Sequence, residues 1–395
     1  MSVHRIQRPN GSIAWRVRWR EGGRKSRERT RTFDRKSDAV AFHEELRRRR
    51  RLGEVGLLIG GEQTLNAYVA GTWAPMHAAT LAPKTAKHYA ALYDVHIAST
   101  LGERRLADLT PEAIAGWQAE RIASGAGRVA TLHALALLGG ILQRAVDSQR
   151  IARNPARLVR KVPRPARREV RPLAPVTVEA LRLARRRAPD GESAVISLQH
   201  AGTRLRDATL ISVLAYAGLR PGEALALQWG NVRERTLLIE QAASLGELQD
   251  TKTRAHRTVR LLAPLAGDLA EWKREAAPAA DRALVFPGPG GRPWSKTTWD
   301  NWRRRAFDTA CATIGLEGAR PYDLRHSFAS LLLHEGRSVM YVARQLGHDA
   351  RLTLSTYGHV IDELDDDVRI GAEDAIRAAR DGSCVTGASR EAADA

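Results

Sequence analysis

Residues 321–360 read PYDLRHSFASLLLHEGRSVMYVARQLGHDARLTLSTYGHV, and the rest of the chain is organised around them. One short helical segment carries a Tyr-Asp-Leu-Arg-His cluster, Tyr322 to His326. A Leu-Gly-His turn, Leu346 to His348, and a lone tyrosine, Tyr357, follow. Each part is ordinary by itself. Tyr357 taken alone reads as a core tyrosine, and His348 beside Gly347 reads as a helix carboxyl-terminal cap. Arg325 is less ordinary, because it lies in DLRHSFASLLL, beside an apolar helix where a cation needs a reason.

Working outward, a second arginine is placed the same way. Arg220 sits in AYAGLRPGEALALQW, between two apolar helices, with Glu223 placed to orient it. Lys252 is one of only eight lysines and lies in the connection between two strand-like runs, Thr236–Glu240 and Arg257–Leu262. This set of side chains suits metal-free cleavage of a phosphodiester. That reaction needs a nucleophile, cations to neutralise a pentavalent phosphorane, an acid for the leaving oxygen, and fixed geometry. Arginine suits the phosphate because its planar fork donates two parallel hydrogen bonds and stays charged. A lysine ammonium whose pKa is lowered by cationic neighbours can protonate the departing oxygen. A phenol is a weak nucleophile at neutral pH, since its pKa is about 10. Two nearby arginines favour its phenolate.

Together these residues resemble the carboxyl-terminal signature of tyrosine recombinases, the phage-integrase family of DNA breaking and rejoining enzymes. The family pattern is Arg, Lys, His-x-x-Arg, His or Trp, Tyr. The chain supplies Arg220, Lys252, Tyr322-x-x-Arg325, His348 and, nine residues on, Tyr357. The resemblance implies that Tyr357 is the nucleophile of a 3′-phosphotyrosyl intermediate and that no metal, ATP or other cofactor is needed. It implies double-stranded DNA attachment sites as the substrate, a homo-tetramer on DNA, and a DNA-bending or directionality accessory protein as a further partner. Glu223, Asp323 and His326 are expected to be supporting residues, with His326 serving local structure. The departure is Tyr322, where the family has His, which puts in doubt which group handles a proton there. Two other functions stay open at this point. One is a catalytically silent DNA-binding relative. The other is a topoisomerase that nicks and reseals one duplex.

Composition agrees with a polyanionic partner. The chain has 395 residues, 43% of them hydrophobic, and a formal net charge of +19. Such a length and apolar fraction give a globular protein with room for two or three domains. The charge points to nucleic acid before membrane. A GC-rich genome, through codon bias, would explain arginine over lysine, but not the excess of bases over acids. Two distant cysteines, Cys311 and Cys384, exclude a disulfide framework and a cysteine metal cluster. The apolar runs near Ala208–Leu219 and Leu132–Leu142 are expected to be too short for a bilayer. The opening MSVHRIQRPN lacks the apolar core of a signal peptide. A soluble cytoplasmic protein with no membrane partner is expected.

The chain in order predicts a mainly α fold with small β-sheets. Residues 1–60 hold 17 Lys and Arg against 7 acids. Ile13, Trp15, Val17 and Trp19 alternate with Arg16, Arg18 and Arg20, a strand with one apolar and one cationic face. Gly22-Gly23 marks a turn into a second strand, Arg24–Phe33. Ser37 is placed to cap a helix running to Arg51. This hairpin-plus-helix resembles the arm-binding domain that many integrases carry. Residues 62–165 read as a helical bundle, which the resemblance makes a core DNA-binding domain, with Lys84, Lys87, Arg160 and Lys161 as candidate DNA contacts. Thr110-Pro111-Glu112 is a helix start. Residues 156–175, rich in Arg and Pro, read as a linker. Residues 170–380 form the expected mixed α/β catalytic domain, with Thr177 capping one helix and a second running over about Asp207–Tyr216. Residues 381–395 read as a flexible tail.

Overall fold

The computed structural model describes residues 2–20, 28–53, 56–166, 170, 172–187, 194–244, 246–250, 256–363 and 370–381. The chain divides into two compact units, Met1–Arg167 and Arg168–Ala395.

The first unit holds two separate cores. The amino-terminal one is a three-stranded antiparallel sheet, with β1 (Ser2–Gln7), β2 (Ile13–Arg20) and β3 (Glu28–Phe33) in that order. Val17 and Trp19 of β2 point into it and pack with Ala39 and Leu46 of the helix Lys36–Arg51. Arg18 and Arg20 face outward, as the alternation predicts, whereas Arg16 is half-buried. The expected hairpin is thus the inner and outer part of a larger sheet, because Ser2–Gln7 pairs with β2 along its whole length. Gly22-Gly23 and the start of the second strand lie outside the described residues. Ser37 does not cap the helix. Arg35 is the N-cap without a side-chain bond, and the Ser37 hydroxyl bonds Asp38 inside the first turn.

The second core is helical. Its spine is the helix Arg128–Asp147, whose Leu135, Leu138, Ile141 and Leu142 are buried in one core with Tyr68, Trp73, Tyr93 and Trp117. This corrects the expectation about bilayer length. The helix is long and apolar enough to cross a membrane by length and composition, yet its apolar face is spent on the bundle core. Thr110 caps the helix Pro111–Ala123, accepting from the Ala113 N–H at 3.2 Å. The start of the expected linker belongs to this core as well. Asn154 caps a short turn, Pro155–Leu158, and Ala156 and Val159 are buried.

The second unit is built around the long helix Ala194–Tyr216, which begins well before the expected Asp207. The helix Pro175–Arg186 packs along it, capped by Ala174 rather than Thr177, which falls inside the first turn. Two small antiparallel sheets flank these helices: β4 (Thr236–Ile239) with β7 (Arg257–Arg260), and the unforeseen hairpin of β5 (Gln241–Ser244) and β6 (Glu247–Asp250). Leu237 and Val259 face each other across the first and are both fully buried. Three helices complete the site: an arginine helix, Asp323–His334; a turn helix, Val339–Leu346; and a tyrosine helix, Ala350–Glu363. A terminal helix, Ala372–Arg380, packs on its own unit, with Ala372 and Ile376 buried in the core and Arg380 bridging Asp268 and Glu179 at 2.7 and 3.2 Å. The tail beyond Asp381 lies outside the described residues.

Candidate active site

Two glycines build the floor of the site. Gly218 ends the long helix with φ +60°, and a Cβ there would meet Phe328 Cδ1 at 2.5 Å. Gly347 ends the turn helix with φ +63°, in the left-handed conformation that glycine adopts at no steric cost. Both turn a carbonyl toward an arginine. The Gly218 carbonyl accepts from Arg325 Nη1, and the Gly347 carbonyl accepts from Arg220 Nη2 at 2.9 Å.

Arg325 is 1% exposed. Its Nη2 donates to the Leu346 carbonyl and to His348 Nε2, the latter at 2.8 Å. An arginine only donates, so His348 Nε2 accepts, and the ring proton sits on Nδ1, which is buried with no partner among the described residues. Burial first, and then the charges of Arg325 and Arg220, push the His348 pKa down to about 3. The ring is therefore neutral at pH 7. Burial and the neighbouring Arg220 likewise bring Arg325 down to about 10, which leaves it charged.

Glu223 ties the cations together. It is 3% exposed. Its Oε1 accepts from Arg220 Nη1 at 2.7 Å and from Arg257 Nη1 at 2.9 Å. Its Oε2 accepts from the Arg220 backbone N–H at 2.9 Å and from Arg257 Nη2 at 2.6 Å, with Arg325 Nη1 3.9 Å away. Burial alone would raise this carboxyl, but the Arg257 hydrogen bonds and charge, followed by Arg220, outweigh it and hold the pKa at about 2. Arg257 was not singled out from the sequence. It anchors β7 to the turn helix as well, donating from Nε to the Gln345 carbonyl at 3.0 Å. Its only sequence signal is its place at the start of a strand after the Lys252 connection, too weak to separate it from the many other arginines.

Tyr357 is fully buried. Its hydroxyl lies 2.6 Å from His326 Nδ1. Burial raises its pKa well above the ordinary phenol value, and Arg325 acts in the opposite direction. His326 was expected to be a supporting residue serving local structure; the structure sets it against the tyrosine hydroxyl. Tyr322 stands edge-on to the His326 ring, centroids 5.5 Å apart, and is 41% exposed. Asp323 fastens the chain entering the arginine helix, accepting from the Arg320 backbone N–H at 2.9 Å and from its side chain at 3.1 Å.

The structure therefore gathers Arg220, Glu223, Arg325 and His348 into one network with Arg257, and Tyr322, His326 and Tyr357 into a second cluster, near enough for the Arg325 charge to act on Tyr357. Lys252 lies outside the described residues. Among the described residues no group of three or more His, Cys, Asp or Glu is placed to hold a metal ion. In the first unit Arg18, Arg20, Lys84, Lys87, Arg160 and Lys161 are exposed.

Residues 192–363 match the model of the phage integrase family. Over 167 residues the chain is 27% identical to the tyrosine recombinase XerD of Vibrio vulnificus strain YJ016, covering 40% of this chain and 50% of that relative. The chain thus spans about half the length of that relative. Among solved structures it resembles the Tn1549 transposon integrase in complex with a circular intermediate DNA (TM-score 0.60, 14% identity, 75% of this chain and 95% of that one). It also resembles a lambda integrase in a tetramer bound to a Holliday junction (TM-score 0.56, 18% identity, 88% and 94%). At these identities the structural likeness establishes the fold.

Proposed function

We propose that this chain is a site-specific DNA recombinase that cuts and rejoins double-stranded DNA through a 3′-phosphotyrosyl intermediate, a reading supported by the match of residues 192–363 to the phage integrase family model. The observation that supports the reading is the arrangement just described, in which Arg220, Arg325 and a neutral His348 are held together and the Arg325 charge acts on the sequestered Tyr357. Arg220 and Arg325 would neutralise the phosphate, and His348 would hydrogen-bond a phosphoryl oxygen. Tyr357 Oη would attack phosphorus, and Lys252 would protonate the departing 5′ oxygen. The phosphodiester energy is kept in the tyrosyl bond, so neither ATP nor metal takes part.

In this reading residues 170–380 are the catalytic domain, residues 62–165 hold the duplex at the core site, and residues 1–60 bind a separate arm site. Residues 381–395 are a tail. The enzyme would work in the cytoplasm as a tetramer on attachment sites of a mobile element, with an accessory bending or directionality protein where the sites require one. The test is covalent trapping. The full chain is used to select its site from a random-sequence duplex pool, and a nicked duplex of that sequence is then incubated with it. A protein–DNA adduct that survives denaturation supports the reading. Binding without an adduct marks a silent DNA-binding relative. Relaxation of a supercoiled plasmid lacking the site marks a topoisomerase.

Two further outcomes follow from the same reading. Deleting residues 1–60 lowers the slope of log affinity against log salt by about 3, at ~0.9 per phosphate for Arg16, Arg18 and Arg20. Cleavage of a short core-site duplex persists. An unchanged slope in a binding titration removes the module from the DNA. At the site mouth, Tyr322→Phe removes one hydrogen-bonding hydroxyl and slows single-turnover cleavage about 10- to 100-fold, less than a fully preorganised donor because water substitutes in part. Tyr322→His stays largely active. Cleavage by Tyr322→Phe at the unaltered rate would reduce Tyr322 to packing against His326.

A further inference from the structure

The geometry points to His326 as the catalytic group that takes the phenol proton when Tyr357 attacks; the inference rests on the recombinase reading above. The two heavy atoms, His326 Nδ1 and Tyr357 Oη, lie 2.6 Å apart, within the range for direct proton transfer. Tyr357 is fully buried and His326 nearly so, so bulk water does not reach the hydroxyl. The other groups of the site are poor proton acceptors. Glu223 has both oxygens taken by Arg220 and Arg257. Arg220, Arg257 and Arg325 only donate. His348 has its bare nitrogen turned onto Arg325. Tyr322, at the mouth, is itself a phenol. A buried phenol whose ionisation is disfavoured is the kind of nucleophile that an adjacent base activates. The acceptor lies one helical turn beyond Tyr322 on the arginine helix, so residues 322 and 326 share a face.

In the tautomer with its proton on Nε2, His326 accepts the Tyr357 O–H at Nδ1. As Oη bonds to phosphorus, that proton passes to Nδ1 and the ring becomes imidazolium. The bond between phosphorus and the 5′ oxygen breaks, and its electron pair leaves on that oxygen, which takes a proton from the Lys252 ammonium. Rejoining reverses each transfer: the 5′ hydroxyl returns its proton to Lys252, and His326 returns its own to the departing phenolate.

The test uses the full chain on the selected nicked duplex. His326→Asn keeps a hydrogen-bond acceptor near the Nδ1 position but cannot hold the proton. It is expected to form the adduct about 100-fold or more slowly, within the range for loss of a general base. A duplex whose 5′ bridging oxygen is sulfur needs no acid at the leaving group, and the His326→Asn defect persists on it. Replacing Tyr357 by a ring-fluorinated tyrosine, which ionises near neutral pH, brings His326→Asn to within about 10-fold of the His326 enzyme carrying the same residue. That rescue separates proton transfer from positioning. His326→Asn cleaving at the parent rate, or a defect that the fluorinated tyrosine leaves untouched, overturns the assignment. If thermal melting shows His326→Asn unfolded, His326→Gln takes its place in the same comparison. Should the parent enzyme form no adduct, it is the recombinase reading that falls.

Discussion

Tyr357→Phe is expected to form no denaturation-resistant adduct while binding the selected duplex within about twofold of the parent affinity. The phenol oxygen is the only atom removed. Its hydrogen bond in the structure is to His326, so the apolar ring keeps its place in the core formed with Phe328, Leu332 and Leu346. Losing a buried hydroxyl while leaving its partner in place costs on the order of 1–3 kcal/mol, and His326 is the partner left behind. That loss touches no cation of the site. The network of Arg220, Arg257 and Arg325 on Glu223 stays intact, so phosphate affinity is preserved. Catalysis is lost outright, because no other hydroxyl described in the network is held so close to a base. The measurement is a denaturing gel of protein with end-labelled nicked duplex, alongside a binding titration at fixed salt. An adduct at the parent level would move the nucleophile elsewhere. Loss of binding together with the adduct would mean that the hydroxyl supports the fold.

Much of this site is legible in the sequence because its parts are local. Arg220 with Glu223, and Leu346 through His348, each lie within one turn of chain. Glycine and proline punctuate them, and the left-handed Gly347 falls where a turn is expected. The buried face of the helix Arg128–Asp147 is equally local, since its period is that of the helix. What escapes the sequence is contact between distant segments. Arg257 meets Glu223 across 34 residues, and His326 meets Tyr357 across 31. Nothing in the residue types nearby announces either pair. β1 was missed because SVHRIQ puts no clean apolar face on one side, so that pairing with β2 makes it a strand. The hairpin Gln241–Ser244 with Glu247–Asp250 has no β-branched residue at all. Thr177 and Ser37 failed as caps for a different reason. Each has the right chemistry, but proline at 175 and the chain entering at Arg35 start the helices earlier.

Glu223→Gln is expected to lower the melting temperature of the second unit by about 6–12 °C at pH 7 and to abolish adduct formation. The amide keeps the shape and one acceptor oxygen, so the change removes the charge together with the two hydrogen bonds that the other oxygen accepts. Arg220, Arg257 and Arg325 all lie within 4 Å of this one carboxylate, and Arg325 is 1% exposed. Without it, buried guanidinium groups face one another uncompensated, and removing one member of such a cluster costs about 3–5 kcal/mol. At about 2–4 °C per kcal/mol for a unit of this size, the lower end of that cost gives the stated shift. Glu271→Gln is the control. It breaks the pair with Arg186, whose members are both about one-third exposed, and shifts melting by about 2 °C or less. The effect also has a pH signature. Glu223 titrates at about 2 in the folded chain against an ordinary carboxylate value of 4.5. Because the folded value is the lower one, the charged carboxylate contributes stability that is fully present above about 4.5 and is lost as pH falls toward about 2. The gap in melting temperature between the parent and Glu223→Gln should therefore be constant from pH 7 to about 5 and close progressively below it. Calorimetric scans at pH 7, 5, 4 and 3 measure it. A gap that is as wide at pH 3 as at pH 7 would show that the carboxylate's charge is not what holds the three arginines.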